Sequence, residues 1–101
     1  MIAPMDTMLI PEPLRDRSAL IARALADSKR LCVLEQLAAG EQSVGDLSRG
    51  VGCQVPNMSQ HLAVLRSAGL VDTRRDGTTV FYRLADPDVL EIYRLLQRVA
   101  R

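Results

Sequence analysis

The chain has one histidine and two cysteines, and its 13 Lys and Arg almost balance 12 Asp and Glu, which leaves a formal net charge of +1. Each scarcity excludes something. One imidazole and scattered acids do not assemble a pocket of converging titratable groups. There is no Gly-rich phosphate loop followed by Lys and Ser or Thr, and no Cys-x-x-Cys pair, so the chain reads as a non-enzyme that needs no cofactor. The one close carboxylate pair, Asp86 and Asp88, falls at a helix N-terminus, where negative charge complements the helix dipole, so it reads as capping. No apolar run approaches the roughly 20 residues that span a bilayer, and the start shows no charged-then-apolar leader with a small-residue cleavage site. A cytoplasmic protein with no membrane partner is expected. The balanced charge also means that any case for nucleic acid must rest on motif and local distribution.

The 101 residues at 48% hydrophobic content fit a single domain with one core. Met1 to Pro13 hold three prolines and no helical period, and read as a flexible N-terminal arm before a domain over 14–101. Leu14, Leu20, Ile21, Ala24 and Leu25 recur at helical spacing in a first helix. Asp27 or Ser28 caps a second, with Leu31, Val33, Leu34 and Leu37 as its inward stripe. Ser43, with Asp46 three residues on, makes a near capping box for a third helix closed by Gly50 and Gly52.

The fourth helix begins at Pro56 and stops at Gly69. Met58, Leu62 and Leu65 fall at i, i+4 and i+7, so one face is buried and the small, hydrogen-bonding residues are left outside. Val71–Arg75 and Thr78–Leu84, rich in Thr, Val, Phe and Tyr, form a hairpin joined at Asp76-Gly77. A last helix opening at Pro87 carries Val89, Leu90, Ile92, Tyr93, Leu95, Leu96 and Val99, more apolar surface than a small domain covers alone, so pairing with a second chain is expected. The fold class is mainly α with a small β-hairpin, in the order α-α-α-α-β-β-α: a winged helix-turn-helix.

A helix fits the major groove, and its N-terminal turns bring short polar side chains to base edges. Asn57 and Gln60, whose amides donate and accept at once, are the expected base readers, with Ser59 on base or phosphate. His61 sits beside the buried stripe and is either a base contact or a structural imidazole. Arg66 is expected on a phosphate, and Arg74, Arg75 and Thr78 place the wing on the backbone or in the minor groove. Between Asn57 and Arg83 the four arginines exceed the two aspartates, a local positive excess. Cys32 and Cys53 are either packed thiols or a reactive pair, one that forms a disulfide or polysulfide bridge or binds a soft metal through both sulfurs. Two sulfurs fall short of the four ligands zinc usually takes, so no metal site is assigned.

Three stretches, AxxDSKRLxVLxxLxxGEQSVGDL at Ala24–Leu47, PNMSQHLAVLRSAGLV at Pro56–Val71 and TRRDGTTVFYRL at Thr73–Leu84, resemble the ArsR/SmtB group of bacterial winged-helix repressors. The resemblance implies a homodimer through the first and last helices, with two recognition helices on successive major grooves of a near-palindromic operator. Its sensing sites transfer poorly: Ser43 stands at the position of the metal-binding Cys, and Val99 stands where the last-helix zinc site has a His. The two-cysteine sulfur sensors of the group keep their thiols in the second and last helices. Cys32 is in the right helix but shifted in phase, and Cys53 is elsewhere. The combined expectation is a DNA-binding repressor released by an inducer whose identity the sequence does not give. The rival is a winged-helix module that presents its outward helix to another protein.

Overall fold

The computed structural model describes residues 11–101. They fold as α1 (Glu12–Leu25), α2 (Ser28–Leu37), β1 (Gln42–Ser43), α3 (Val44–Val51), α4 (Val55–Ser67), β2 (Val71–Asp76), β3 (Thr79–Leu84) and α5 (Pro87–Ala100). The helix order is the expected one, and the hairpin gains a third strand. Gln42 pairs with Tyr82 and Ser43 with Phe81, so the antiparallel sheet runs β1-β3-β2. A strand of two residues has no alternation to read and exists only because β3 arrives beside it.

Most of the segment expected as an arm, residues 1–10, lies outside the described residues, but its end does not behave as an arm. Pro11 is the N-cap of α1 and Pro13 falls in its first turn, where a missing N–H forfeits no intrahelical bond. Pro11 and Pro13, expected in the arm, therefore mark a helix start. Of the two candidate caps for α2, Asp27 does the capping, accepting from the N–H groups of Lys29 (2.9 Å) and Arg30 (3.1 Å). The bond from Arg30 is the main reason the Asp27 carboxyl is held below its ordinary range. At α3, Ser43 Oγ accepts from the Asp46 N–H at 3.1 Å and Asp46 bonds back to Ser43, so the capping box closes with Asp in place of Glu.

The core gathers Val33, Leu34 and Leu37 of α2, Leu47 and Val51 of α3, Met58, Leu62 and Leu65 of α4, Leu70 and Val71 at the start of the sheet, and Val89 of α5. Leu31, expected in the inward stripe, is only half-buried and lines a groove with α5. Gly69 ends α4 at φ 77°, with its own N–H on the Arg66 carbonyl and the Leu70 N–H on the Leu65 carbonyl at 2.9 Å each. That left-handed turn drops Leu70 straight back into the core beside Leu65 and starts β2 against α4. The hairpin turn falls one residue later than expected. Asp76 pairs with Thr79, so Gly77 and Thr78 make the loop, with Gly77 at φ 63° as a two-residue primed turn requires.

The two terminal helices are poorly covered. Ala24 is the one buried residue of α1 and Val89 the one of α5. Leu14 and Leu20 on α1 and Leu95, Leu96 and Val99 on α5 are exposed, Val99 by 84%. Among the described residues no helix is long and apolar enough to cross a membrane.

Candidate nucleic-acid interface

Burial of Met58, Leu62 and Leu65 fixes the rotation of α4, and the remaining circumference faces out. Asn57, Ser59, Gln60, Ala63, Arg66 and Ser67 are all exposed, and none of them has a hydrogen bond or ion pair with another described side chain. His61 is half-buried at the edge of the stripe, close enough to Asp27 for its charge to help hold that carboxyl down.

Two grooves flank α4. The one toward the sheet, ≈ 430 Å³, runs between Ser59, Ala63, Arg66 and Ser67 on the helix and Tyr82 on β3. The one on the opposite side, ≈ 660 Å³, runs between Asn57, Gln60, His61 and Val64 of α4, the α3–α4 turn at Gly52, Cys53 and Gln54, and the first turn of α2 at Lys29 and Arg30. The exposed amides of Asn57 and Gln60 thus stand at the rim of a groove whose far wall is a different helix.

The two wing arginines, expected to act together, are separated by the pleat. Successive strand residues point to opposite faces. Arg74 lies opposite Phe81, sits 5.0 Å over its ring, and donates from Nε and Nη2 to the Glu41 carboxylate at 3.1 and 2.9 Å. This contact pulls the Glu41 pKa below its ordinary range and raises that of Arg74. Arg75 lies opposite Val80 on the other face, exposed and with no ion pair or side-chain hydrogen bond among the described residues. Arg74 is therefore committed to the sheet, while Arg66, Arg75 and, at the tip, Thr78 are open.

Cys32 and Cys53 are both half-buried free thiols. Cys32 packs on the core from α2, within electrostatic reach of Tyr93 on α5, while Cys53 lies in the groove at the foot of α4 with its Sγ 3.4 Å from the Gln54 carbonyl. Among the described residues no group of three or more His, Cys, Asp and Glu gathers as a metal cage would. Sequence reasoning missed Glu41, Tyr82 and Lys29 at this surface. Glu41 precedes the unforeseen β1, Tyr82 looks like any strand aromatic, and nothing in the order of residues ties the first turn of α2 to the foot of α4.

Helix, turn, exposed helix and three-stranded wing define a winged helix-turn-helix regulator. Residues 27–73 match the model of the bacterial regulatory protein, arsR family. The HTH-type transcriptional regulator KmtR of Mycobacterium tuberculosis is 49% identical over 86 residues, covering 81% of this chain and 66% of KmtR. The biofilm growth-associated repressor of Agrobacterium fabrum is 38% identical over 100 residues, covering 95% of this chain and 86% of that one. The solution structure of a homodimeric winged helix-turn-helix DNA-binding domain from Mycobacterium bovis superposes with a TM-score of 0.82 at 40% identity, covering 87% of this chain and 82% of that one. The chain belongs to the arsR family of bacterial regulatory proteins. It spans just under two thirds of KmtR's length.

Proposed function

We propose that this chain is a homodimeric transcriptional repressor that binds double-stranded DNA in the bacterial cytoplasm and releases it when an inducer modifies its thiols. The observation that carries the DNA reading is the outward face of α4, where Asn57, Ser59 and Gln60 are exposed and unpartnered within one and a half turns of the helix start. A helix of this kind fills the major groove, where Asn and Gln amides pair with adenine and Ser takes either a base or a phosphate. His61 is a secondary base contact at the edge of that face. Arg66 holds a phosphate from the sheet-side groove, and Arg75 and Thr78 lay the wing on the backbone or in the minor groove.

Dimerisation is supported by the exposed apolar residues Leu14 and Leu20 of α1 and Leu95, Leu96 and Val99 of α5, by an apolar groove that Leu25 of α1, Leu31 of α2 and Leu96 and Ala100 of α5 line together, and by the homodimeric M. bovis relative. A two-fold dimer reads a near-palindromic operator, because its symmetry repeats the contacts in both half-sites. For induction, Cys53 shares its groove with Asn57 and Gln60, so an adduct there intrudes on the base-reading edge. Cys32 packs on the core from α2 within electrostatic reach of Tyr93 on α5, so an adduct there would act on the dimer helices. With polysulfide as inducer, a thiolate attacks one sulfur of the chain, forming a persulfide S–S bond and expelling the shortened polysulfide as the leaving anion.

The test is fluorescence anisotropy on a duplex from upstream of the protein's own gene, with reduced and with polysulfide-treated protein. Tight binding when reduced and weaker binding after treatment is expected, and a Cys53→Ser protein should lose the response. Equal binding in both states keeps the repressor and reduces the cysteines to packing. No binding in either state favours a winged-helix module that docks on another protein.

A further inference from the structure

We infer that Lys29 is a DNA phosphate ligand, holding the strand that passes on the side of α4 away from the wing. This deepens the DNA reading above and rests on it. A helix with its side chains is about 10–12 Å across and the major groove about 12 Å wide, so a seated helix meets both walls, and each wall is a phosphodiester backbone. The sheet-side wall has its ligands in Arg66 and Arg75. Residues read from the helix and hairpin alone leave the other wall with none.

The structure supplies one from α2. The groove on that side is walled by Lys29, continues to Asn57 and Gln60, and has no carboxylate in its lining. Of its two strong cations, Arg30 is already used: its guanidinium donates to the carbonyls of Ala24 and Arg23 at the end of α1 and faces Asp27 at 3.8 Å. Lys29 is exposed and pairs with no carboxylate among the described residues. Its Nζ donates to the carbonyls of Val51 and Gly52, each at 3.3 Å, at the end of α3. An ammonium has three donors, so one remains free. The two carbonyls hold the charge at the mouth of the groove, beside the turn that leads into α4. The side chain is thus positioned before DNA arrives, which lowers the ordering cost of the contact.

The experiment is a salt titration of wild-type, Lys29→Gln and Lys29→Arg protein on the cognate duplex and on a random duplex of equal length, with thermal melting of each protein alongside. Each neutralised phosphate contributes about 0.9 to the slope of log affinity against log salt. Lys29→Gln is expected to reduce that slope by roughly one unit per protomer and to weaken both duplexes by the same factor, while Lys29→Arg retains the wild-type slope. An unchanged slope in Lys29→Gln overturns the inference, and so does a loss confined to the cognate duplex, which would mark Lys29 as a prop for the α3–α4 turn. A wild-type protein without salt-dependent binding would instead overturn the DNA reading itself, and this inference with it.

Discussion

Arg74 reaches across the whole width of the sheet to Glu41, passing over the Phe81 ring on the strand between them. Its Nη2 lies 2.9 Å from one carboxylate oxygen and its carbon centre 5.0 Å from the ring centroid. Arg83 on the same face approaches the other oxygen at 3.9 Å. One carboxylate thus ties β2 and β3 to the end of the α2–β1 connection.

Because Arg74 is held by this contact and Arg75 is open, the two are expected to differ on DNA. Arg75→Ala should lower the salt slope by about one unit, and Arg74→Ala should change it much less. Anisotropy titrations across a salt series measure both. Equal slopes for the two variants would mean that Arg74 abandons Glu41 when DNA binds.

The same contact gives a pH dependence. The Arg74 hydrogen bond depresses the Glu41 pKa below its ordinary 4.5. Its contribution to stability is therefore present above 4.5 and is lost as pH falls through the lower folded value. Urea midpoints of wild type should fall more steeply than those of Glu41→Gln on acidification from about pH 6 to about pH 3. Parallel curves would show that the exposed pair contributes nothing measurable.

Gln60→Ala is expected to cost about 1 to 3 kcal/mol on the cognate duplex and to relax preference at one base position, with little change on random duplex. A loss of the same size on both would assign Gln60 to the backbone.

Leu65 is fully buried where α4, the sheet and the Gly69 turn meet. Leu65→Ala should destabilise by about 2 to 5 kcal/mol. Gly69→Ala meets open space but must hold φ 77°, and is expected to cost about 1 to 2 kcal/mol. Chemical denaturation separates the packing cost from the backbone cost.

Leu96 is 41% exposed on α5, in the apolar groove it lines with Leu25 and Leu31. Leu96→Glu should shift the protein to monomer in sedimentation velocity and weaken operator binding, with the melting temperature of the isolated fold little changed. A dimer that survives it would place the interface elsewhere.

Much of this protein was legible along the chain. The caps at Asp27, Ser43 and Asp86 and the stop at Gly69 are local chemistry, set by residues within a few positions of one another, and so is the 3.6-residue stripe of Met58, Leu62 and Leu65. That stripe alone fixes which way Asn57, Ser59 and Gln60 face, so the outward polar edge of α4 could be named without coordinates. Where local signals competed, the sequence misled: the arm was expected to run through Pro13 although Pro11 caps a helix and Pro13 lies in its first turn, and Asp76-Gly77 suggested a turn that pairing moved on by one residue.

Tertiary structure decided what depends on separation in sequence. Strand pleat and the arrival of β1 beside β3 assigned Arg74 to Glu41, 33 residues away, and left Arg75 open, a difference invisible in two adjacent arginines. The packing of α2 against the end of α3 brought Lys29 to the foot of α4 and set Cys53 in the same groove, while Cys32 packs on the core. The sequence by itself determined the five helices and the two hairpin strands and the buried stripe of α4, because those follow from short-range sterics and hydrogen bonding, whereas β1 needed β3 beside it to exist. Which charges meet, and which remain free to meet a ligand, was determined only by how those faces close on one core.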